Sequence, residues 1–195
     1  MFVLAVFTLV VLQDGRLASG SEDGTIRVWN ITDNPQETSV VLGGHTGPVL
    51  NMCVFGVDSL LASASADHSV RVWSCQHLSC LFVLNGHTNA VRCLAALGPS
   101  NIISSGSEDN TIRIWNCSSD AAGVCTRILM GHSSWVTTLK TLHNTWLASG
   151  SVDGNVRLWD TQNNTSIILS GHTGAVWSIA VNYSNQLFIL VFCLF

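Results

Sequence analysis

The chain has 195 residues, of which 47% are hydrophobic and only 10% are charged. Typical soluble domains carry about 25% charged residues, so much of this chain's apolar surface must be buried internally or against a partner. The net charge of −4 and the lack of a basic stretch argue against nucleic-acid binding driven by phosphate neutralisation. We therefore expect proteins or peptide segments as partners, and no nucleic acid.

The two ends of the chain are apolar. The first fifteen residues, "MFVLAVFTLVVLQDG", lack the basic region and the small-residue cleavage site of a signal peptide. The tail Leu187–Phe195 is shorter than the roughly 20 apolar residues that span a bilayer. We expect no membrane span and a cytoplasmic location, with the nucleus as the alternative.

Seven cysteines match no zinc-binding spacing, and no CxxC motif occurs. We interpret them as small buried hydrophobes and loop thiols in a reducing compartment. Two alternatives stay open: disulfides Cys75–Cys80 and Cys117–Cys125 in a secreted protein, and a metal site in "CQHLSC". We expect no cofactor.

The chain contains an internal repeat. "GH" occurs at 44–45, 86–87, 131–132 and 171–172, and "RVWN", "RVWS", "RIWN" and "RLWD" carry Trp29, Trp73, Trp115 and Trp159. This spacing indicates a unit of about 40–45 residues. The approximate units form one domain over 1–195: 1–43 (lacking GH), 44–85, 86–130, 131–170 and a truncated 171–195.

Within each unit the hydrophobic period is that of strands. In the unit 86–130, "AVRCLAAL", "NIISSGS", "TIRIW" and "TRILM" are short runs separated by turn residues such as "EDNT". In "TIRIW", Ile112 and Ile114 alternate with Arg113 and Trp115 on opposite faces. No segment has a helical period, so the units predict an all-β fold of four short antiparallel strands each.

The GH pair, the S-x-S-x-D segment and the Trp-Asp or Trp-Asn ending resemble the WD-repeat β-propeller family over roughly residues 5–187. The resemblance implies four four-stranded blades and a partial fifth. It also implies an open arc or a fragment, since such propellers usually close with seven blades. We expect either a truncated fragment or splice product without independent function, or a genuine short chain. The short chain would close through its open blade edges, by self-association or by pairing with another propeller protein.

Histidine, serine and aspartate, the residue types of a hydrolase triad, recur with a tryptophan in three units. A catalytic site needs a single pocket, so recurrence indicates a part that every blade requires. The family resemblance implies a buried hydrogen-bond chain from Trp to Ser to His to Asp. These tetrads are His45, Ser63, Asp67, Trp73; His87, Ser105, Asp109, Trp115; and His132, Ser149, Asp153, Trp159; the first unit has Ser19, Asp23 and Trp29 without the histidine.

An arginine two residues before each of these tryptophans also recurs, which favours a structural role over ligand binding. The arginines are Arg27, Arg71, Arg113 and Arg157.

The resemblance places partner binding on the face that carries the GH loops. Trp135 differs from its equivalents Pro48, Ala90 and Ala175, so the fold does not demand an aromatic ring there. Arg92 could pair with an acidic or phosphorylated peptide. The full candidate set is Trp135, Trp177, Arg92, Leu50, Pro48, Glu22, Glu108 and Val152. We expect a non-enzymatic scaffold; an enzyme is the less favoured alternative, because the inner strands offer no acid, histidine or metal-binding set.

Overall fold

The computed structural model describes residues 4–31, 39–118, 123–143 and 145–181. These residues form sixteen strands and no helix. The strands are β1 (Val6–Val11), β2 (Leu17–Ser21), β3 (Ile26–Trp29), β4 (Ser39–Leu42), β5 (Val49–Phe55), β6 (Leu60–Ser65), β7 (Val70–Ser74), β8 (Ser79–Leu84), β9 (Val91–Ala96), β10 (Ile102–Ser107), β11 (Ile112–Asn116), β12 (Val124–Leu129), β13 (Val136–His143), β14 (Trp146–Ser151), β15 (Val156–Asp160) and β16 (Thr165–Leu169).

The strands form four antiparallel sheets, β1–β4, β5–β8, β9–β12 and β13–β16, each ordered as in the chain. These are blades 1 to 4. The innermost strands β1, β5, β9 and β13 contact one another in succession, so the blades follow an open arc. The predicted all-β propeller architecture is confirmed.

The core lies between the blades, because the third strands of blades 2 and 3 each pack against both neighbouring blades. Ile112 and Ile114 on β11 join a cluster with Val136 and Leu147 of blade 4. Trp115 faces the other way, into a cluster with residues of blade 2. The predicted alternation on "TIRIW" is therefore confirmed, and each interface is filled by apolar side chains of two blades.

One edge of each blade carries both the loop before the inner strand and the turn between the second and third strands. Backbone N–H groups of Ala66, Glu108 and Val152 donate to the carbonyl oxygens of Pro48, Ala90 and Trp135. We call this edge the upper face. It includes the candidate partner-binding residues Pro48, Glu108, Trp135 and Val152.

The predicted first strand of a fifth blade is not formed as a strand in residues 171–181. This segment still packs on blade 4: Val176 donates its N–H to the Ser151 carbonyl at 2.9 Å, and Val176 and Ile179 are buried with Ala148 and Val156. No ladder partner for it lies among the described residues, which explains the missing strand. The rest of the predicted unit, 182–195, lies outside them, as do residues 1–3.

Candidate functional site

In blades 2 to 4 the recurring polar residues are hydrogen-bonded in the order expected. In blade 3, Trp115 Nε1 lies 2.8 Å from Ser105 Oγ, His87 Nε2 lies 2.8 Å from the same oxygen, and His87 Nδ1 lies 2.7 Å from Asp109 Oδ2. The corresponding distances in the other two complete tetrads lie between 2.7 and 2.9 Å. Each tetrad stays within its own blade, so the three do not converge on a common cleft.

The donors and acceptors of one tetrad are fully matched if the histidine is neutral. The Trp115 N–H donates to Ser105, the Ser105 hydroxyl donates to His87 Nε2, and the Nδ1–H of His87 donates to Asp109. A buried indole N–H and a buried imidazole both require such partners. The arrangement links the upper-face turn to the loop before the inner strand.

The electrostatics of the tetrads agree with neutral imidazoles. Burial lowers the pKa of His45 and of His132, although the neighbouring carboxylates oppose the shift. Burial alone would raise the pKa of Asp67, but hydrogen bonds from Ser69, His45 and Thr46 outweigh it and lower the pKa to about 2. The tetrads of blades 2 and 4 therefore hold an ionised aspartate next to a neutral histidine.

The tetrad serines cannot act as nucleophiles on a bound substrate. Ser63, Ser105 and Ser149 are fully buried, and each hydroxyl oxygen already accepts a tryptophan N–H. A catalytic serine needs an open cleft and an oxyanion-binding site beside it. The geometry thus gives these serines hydrogen-bond partners within their own blade and leaves their side chains buried.

Blade 1 has an incomplete version of the network. Trp29 Nε1 donates to Ser19 Oγ at 2.8 Å. Within the described part of the chain, the Asp23 carboxylate accepts hydrogen bonds only from the N–H and hydroxyl of Thr25 in its own turn. The contrast shows what the histidine adds: a connection from the buried serine to the turn.

The four recurring arginines have structural contacts. Each guanidinium reaches the outermost strand of its own blade through Nη1, as Arg157 does towards Ser166 Oγ at 3.2 Å. In blades 2 to 4 the guanidinium also packs against the glycine of the GH loop. If Gly86 carried a side chain, for example, its Cβ would lie 2.7 Å from Arg113 Nη1. These contacts support the interpretation of the arginines as blade-packing residues.

The structure brings three candidate residues together across two blades. The guanidinium of Arg92 on β9 lies 5.0 Å from the ring centroid of Trp135, which belongs to the loop before β13. The Glu108 carboxylate lies 2.6 Å from Arg92 Nη2. Arg92 is thus already paired with Glu108, and an acidic or phosphorylated peptide would compete with that carboxylate for it.

Trp135 remains available on the upper face, with 39% of its surface exposed. Sequence reasoning found Arg92, Glu108 and Trp135 separately but missed their contact, because it depends on how blade 3 sits against blade 4. The only signal in the sequence was that all three occupy upper-face positions in adjacent units.

The remaining candidates are distributed along the arc. Pro48, Leu50 and Val152 are half-buried, and Glu22 is exposed on blade 1, where its carboxylate accepts the N–H of Ala5 at 3.1 Å. Trp177 is 40% exposed and lines a cavity of about 570 Å³ along the inner strands, together with Lys140 and Thr137. Trp177 therefore faces the inner wall, and Lys140 is a residue of that wall that sequence reasoning did not select.

The described residues contain no cluster of three or more side chains suited to hold a metal ion, and no helix long and apolar enough to cross a membrane. The six cysteines in the described part of the chain are free thiols, and neither predicted disulfide alternative is formed.

Comparison with known proteins agrees with this geometry. The family model described as the TEP-1 second beta-propeller matches residues 6–188. The chain belongs to the WD-repeat β-propeller family. Proteins of this family are generally non-enzymatic and generally serve as protein-interaction scaffolds.

Individual WD-repeat relatives share the repeat over most of this chain. The F-box/WD repeat-containing protein sel-10 of Caenorhabditis elegans is 35% identical over 170 residues, which cover 84% of this chain and 21% of sel-10. WD repeat-containing protein 18 of Danio rerio is 27% identical over 183 residues, covering 84% of this chain and 42% of that protein. The chain thus spans less than half of these curated relatives.

Solved WD-repeat structures have the same fold. U3-55K superposes with a TM-score of 0.79 at 26% identity, covering 90% of this chain and 55% of that one. The WD40 repeats of RRP9 superpose equally well, with 54% of that chain covered.

Proposed function

We propose that this WD-repeat chain is a non-enzymatic scaffold that docks partner proteins or peptide segments on its upper face and helps to assemble a multiprotein complex. The observation that carries the proposal is the exposed ring of Trp135 beside the Arg92–Glu108 ion pair. Exposed tryptophans are the residues most enriched at the energetic centres of interfaces.

Two further observations support Trp135 as the docking residue. The equivalent positions in the other units carry Pro48, Ala90 and Ala175, so the blade folds without an aromatic side chain there. The guanidinium of Arg92, itself held by Glu108, supports the Trp135 ring. A ring that is ordered before binding loses less conformational entropy when a partner docks.

The proposal includes no nucleic-acid ligand, because Arg92 is the single cation in the candidate set and Glu108 neutralises it. We also propose a cytoplasmic site of action, with the nucleus as the alternative. The free thiols support a reducing compartment.

The test compares recovery of partner proteins by the parent chain, Trp135→Ala and Val57→Ala. Val57 is the matched control, because it is exposed in the turn between β5 and β6, away from the upper face. We expect Trp135→Ala to weaken partner affinity by about 10-fold or more, as loss of an interface centre does. Val57→Ala should retain full recovery. Equal recovery by Trp135→Ala and the parent, with unchanged thermal stability, would contradict the proposal.

A further inference from the structure

The cavity on the inner wall of the arc is lined by one cation and by no acid. Its volume of about 570 Å³ lies within the range of ligand-binding pockets. The inner strands β5, β9 and β13 form its walls together with Trp177. Among the described residues, Lys140 is the only charged side chain that lines it. The wall therefore carries a positive charge, although the whole chain has a net charge of −4.

Lys140 has no counter-ion. Its side chain is exposed, and the described residues provide neither an ion pair nor a hydrogen bond for its ammonium group. By strand register, its equivalents in blades 1 to 3 are Val10, Cys53 and Ala95. Three blades thus form with an uncharged residue at this position. The blade fold does not require the lysine, so its charge is free to meet a ligand.

The polar side chains near Lys140 leave hydrogen-bond donors open and hold the wall in place. The Asn51 side-chain oxygen accepts a backbone N–H of β9 at 3.1 Å, which leaves its amide N–H groups as donors. The hydroxyls of Thr137 and Thr141 donate to backbone carbonyl oxygens of β14 and β9. A wall that is ordered before binding loses less entropy when a ligand docks. A ligand with negative charge and hydrogen-bond acceptors complements these groups.

The cavity lies next to Trp135, the docking residue of the proposed scaffold. Thr137 lines the cavity and follows Trp135 by two positions, and Lys140 follows it by five. Five residues of a strand span about 16 Å. Trp177, which is 40% exposed, lines the same cavity. One extended peptide of about six residues therefore reaches from Trp135 to Lys140.

We propose that the inner wall binds an extended acidic peptide segment of a partner protein, and that an aspartate or glutamate of this segment pairs with Lys140. The inference rests on the proposed scaffold function and adds the chemistry of the docking segment. Opposite charges across an interface fix the register of the partner and select against others. Apolar side chains of the segment pack against Trp177. A nucleic acid fits less well, because its binding depends on many cations and this wall has one.

The test begins with a selection of random dodecapeptides displayed on phage, by the parent chain and by Lys140→Gln. We expect the parent to enrich peptides that carry aspartate or glutamate near an apolar residue, and Lys140→Gln to lose the acidic preference. Fluorescence anisotropy then measures the affinity of one enriched peptide. Lys140→Gln should weaken this affinity by about threefold or more, the effect of losing one exposed ion pair. Lys140→Arg keeps the charge and should retain the affinity.

Arg127→Gln is the matched control, because it also removes one positive charge. Arg127 lies on the outer strand β12, where it donates to the Gln162 carbonyl, and it does not line the cavity. This variant should bind the enriched peptide as tightly as the parent does.

Three results would overturn the inference. They are a parent selection that yields no peptides or none with an acidic preference, equal peptide affinities for the parent and Lys140→Gln, and tighter binding of single-stranded RNA than of the enriched peptide. Failure here is distinct from failure of the scaffold proposal, which is decided by partner recovery with Trp135→Ala. A loss of recovery in Trp135→Ala without any effect of Lys140→Gln would overturn only the acidic segment.

Discussion

The His87 Nδ1 atom lies 2.7 Å from the Asp109 Oδ2 atom, although the two residues are 22 positions apart in the chain. The contact joins the loop before β9 to the turn between β10 and β11. Asp109 also accepts hydrogen bonds from the N–H of Thr88 and the hydroxyl of Thr111. One carboxylate therefore satisfies the buried His87 ring and also holds the backbone of Thr88 and the side chain of Thr111.

Asp109→Ala should destabilise the protein by about 1–3 kcal/mol, the typical cost of leaving buried polar groups unpaired. Chemical denaturation of parent and variant measures this loss. Asp23→Ala is the matched control, because Asp23 occupies the equivalent turn of blade 1 but contacts no histidine. We expect a clearly smaller loss for the control. An equal loss for both variants would show that the turn, and not the tetrad, carries the effect.

Stability should fall as the pH is lowered from about 7.5 to about 5. Burial lowers the pKa of His45 and His132 in the folded state below the usual value of 6.5, so the unfolded chain takes up these protons first. Protonation therefore favours unfolding as the pH falls below 6.5. The contribution of Asp67, whose pKa is lowered to about 2, is present above its usual value of 3.8 and is lost only at more acidic pH.

The midpoint of thermal unfolding, measured at several pH values between about 7.5 and about 5, tests this pH dependence. His132→Gln cannot titrate and is the control; its midpoint should change less steeply with pH than that of the parent. A parent midpoint that is constant or rises towards pH 5 would contradict the neutral-histidine interpretation.

Gly86→Ala should destabilise the chain more than Gly171→Ala. Both glycines have a left-handed backbone, with φ of 153° and 152°, so alanine is strained equally at both positions. A Cβ at Gly86 would lie 2.7 Å from Arg113 Nη1, whereas one at Gly171 has no atom within 4 Å. We expect an additional loss of about 1 kcal/mol or more for Gly86→Ala, as for other overpacked sites. Equal unfolding free energies would show that Arg113 moves away at no cost.

The isolated chain should self-associate through the outer face of blade 1. Leu9 is 62% exposed there, whereas Met52, the equivalent residue of blade 2, is 6% exposed because blade 1 covers it. Exposed apolar faces of this kind drive association. Light scattering coupled to size exclusion should show a mass that rises with concentration, and Leu9→Lys should reduce the rise. A monomer at all concentrations would refute this prediction.

The repeat made much of the fold predictable. Tetrad residues such as His87, Ser105 and Trp115 recur at fixed spacing, and the alternation of Ile112, Arg113, Ile114 and Trp115 indicates a strand buried on both faces. The hydrogen bonds of these residues lie within one repeat. A local pattern is therefore sufficient to specify them.

The contacts between repeats were decided by the tertiary structure alone. The sequence offered Arg92 as a residue that could pair with an acidic peptide, and the structure pairs it with Glu108 and places it over Trp135 of the next blade. The residues that follow the GH loop at 171–172 were expected to form the first strand of a fifth blade, but the segment packs on blade 4 without a ladder partner among the described residues. Likewise, the cavity lined by Lys140 and Trp177 exists only because several inner strands lie side by side.

By itself, the sequence determined the blade: four strands, their turns and the polar tetrad, because short-range hydrogen bonding and side-chain alternation act within about 40 residues. Only the tertiary structure decided which side chains of neighbouring blades meet and which surface remains exposed. The relative position of two blades depends on the packing of their apolar faces, and that packing is a property of the pair rather than of either repeat.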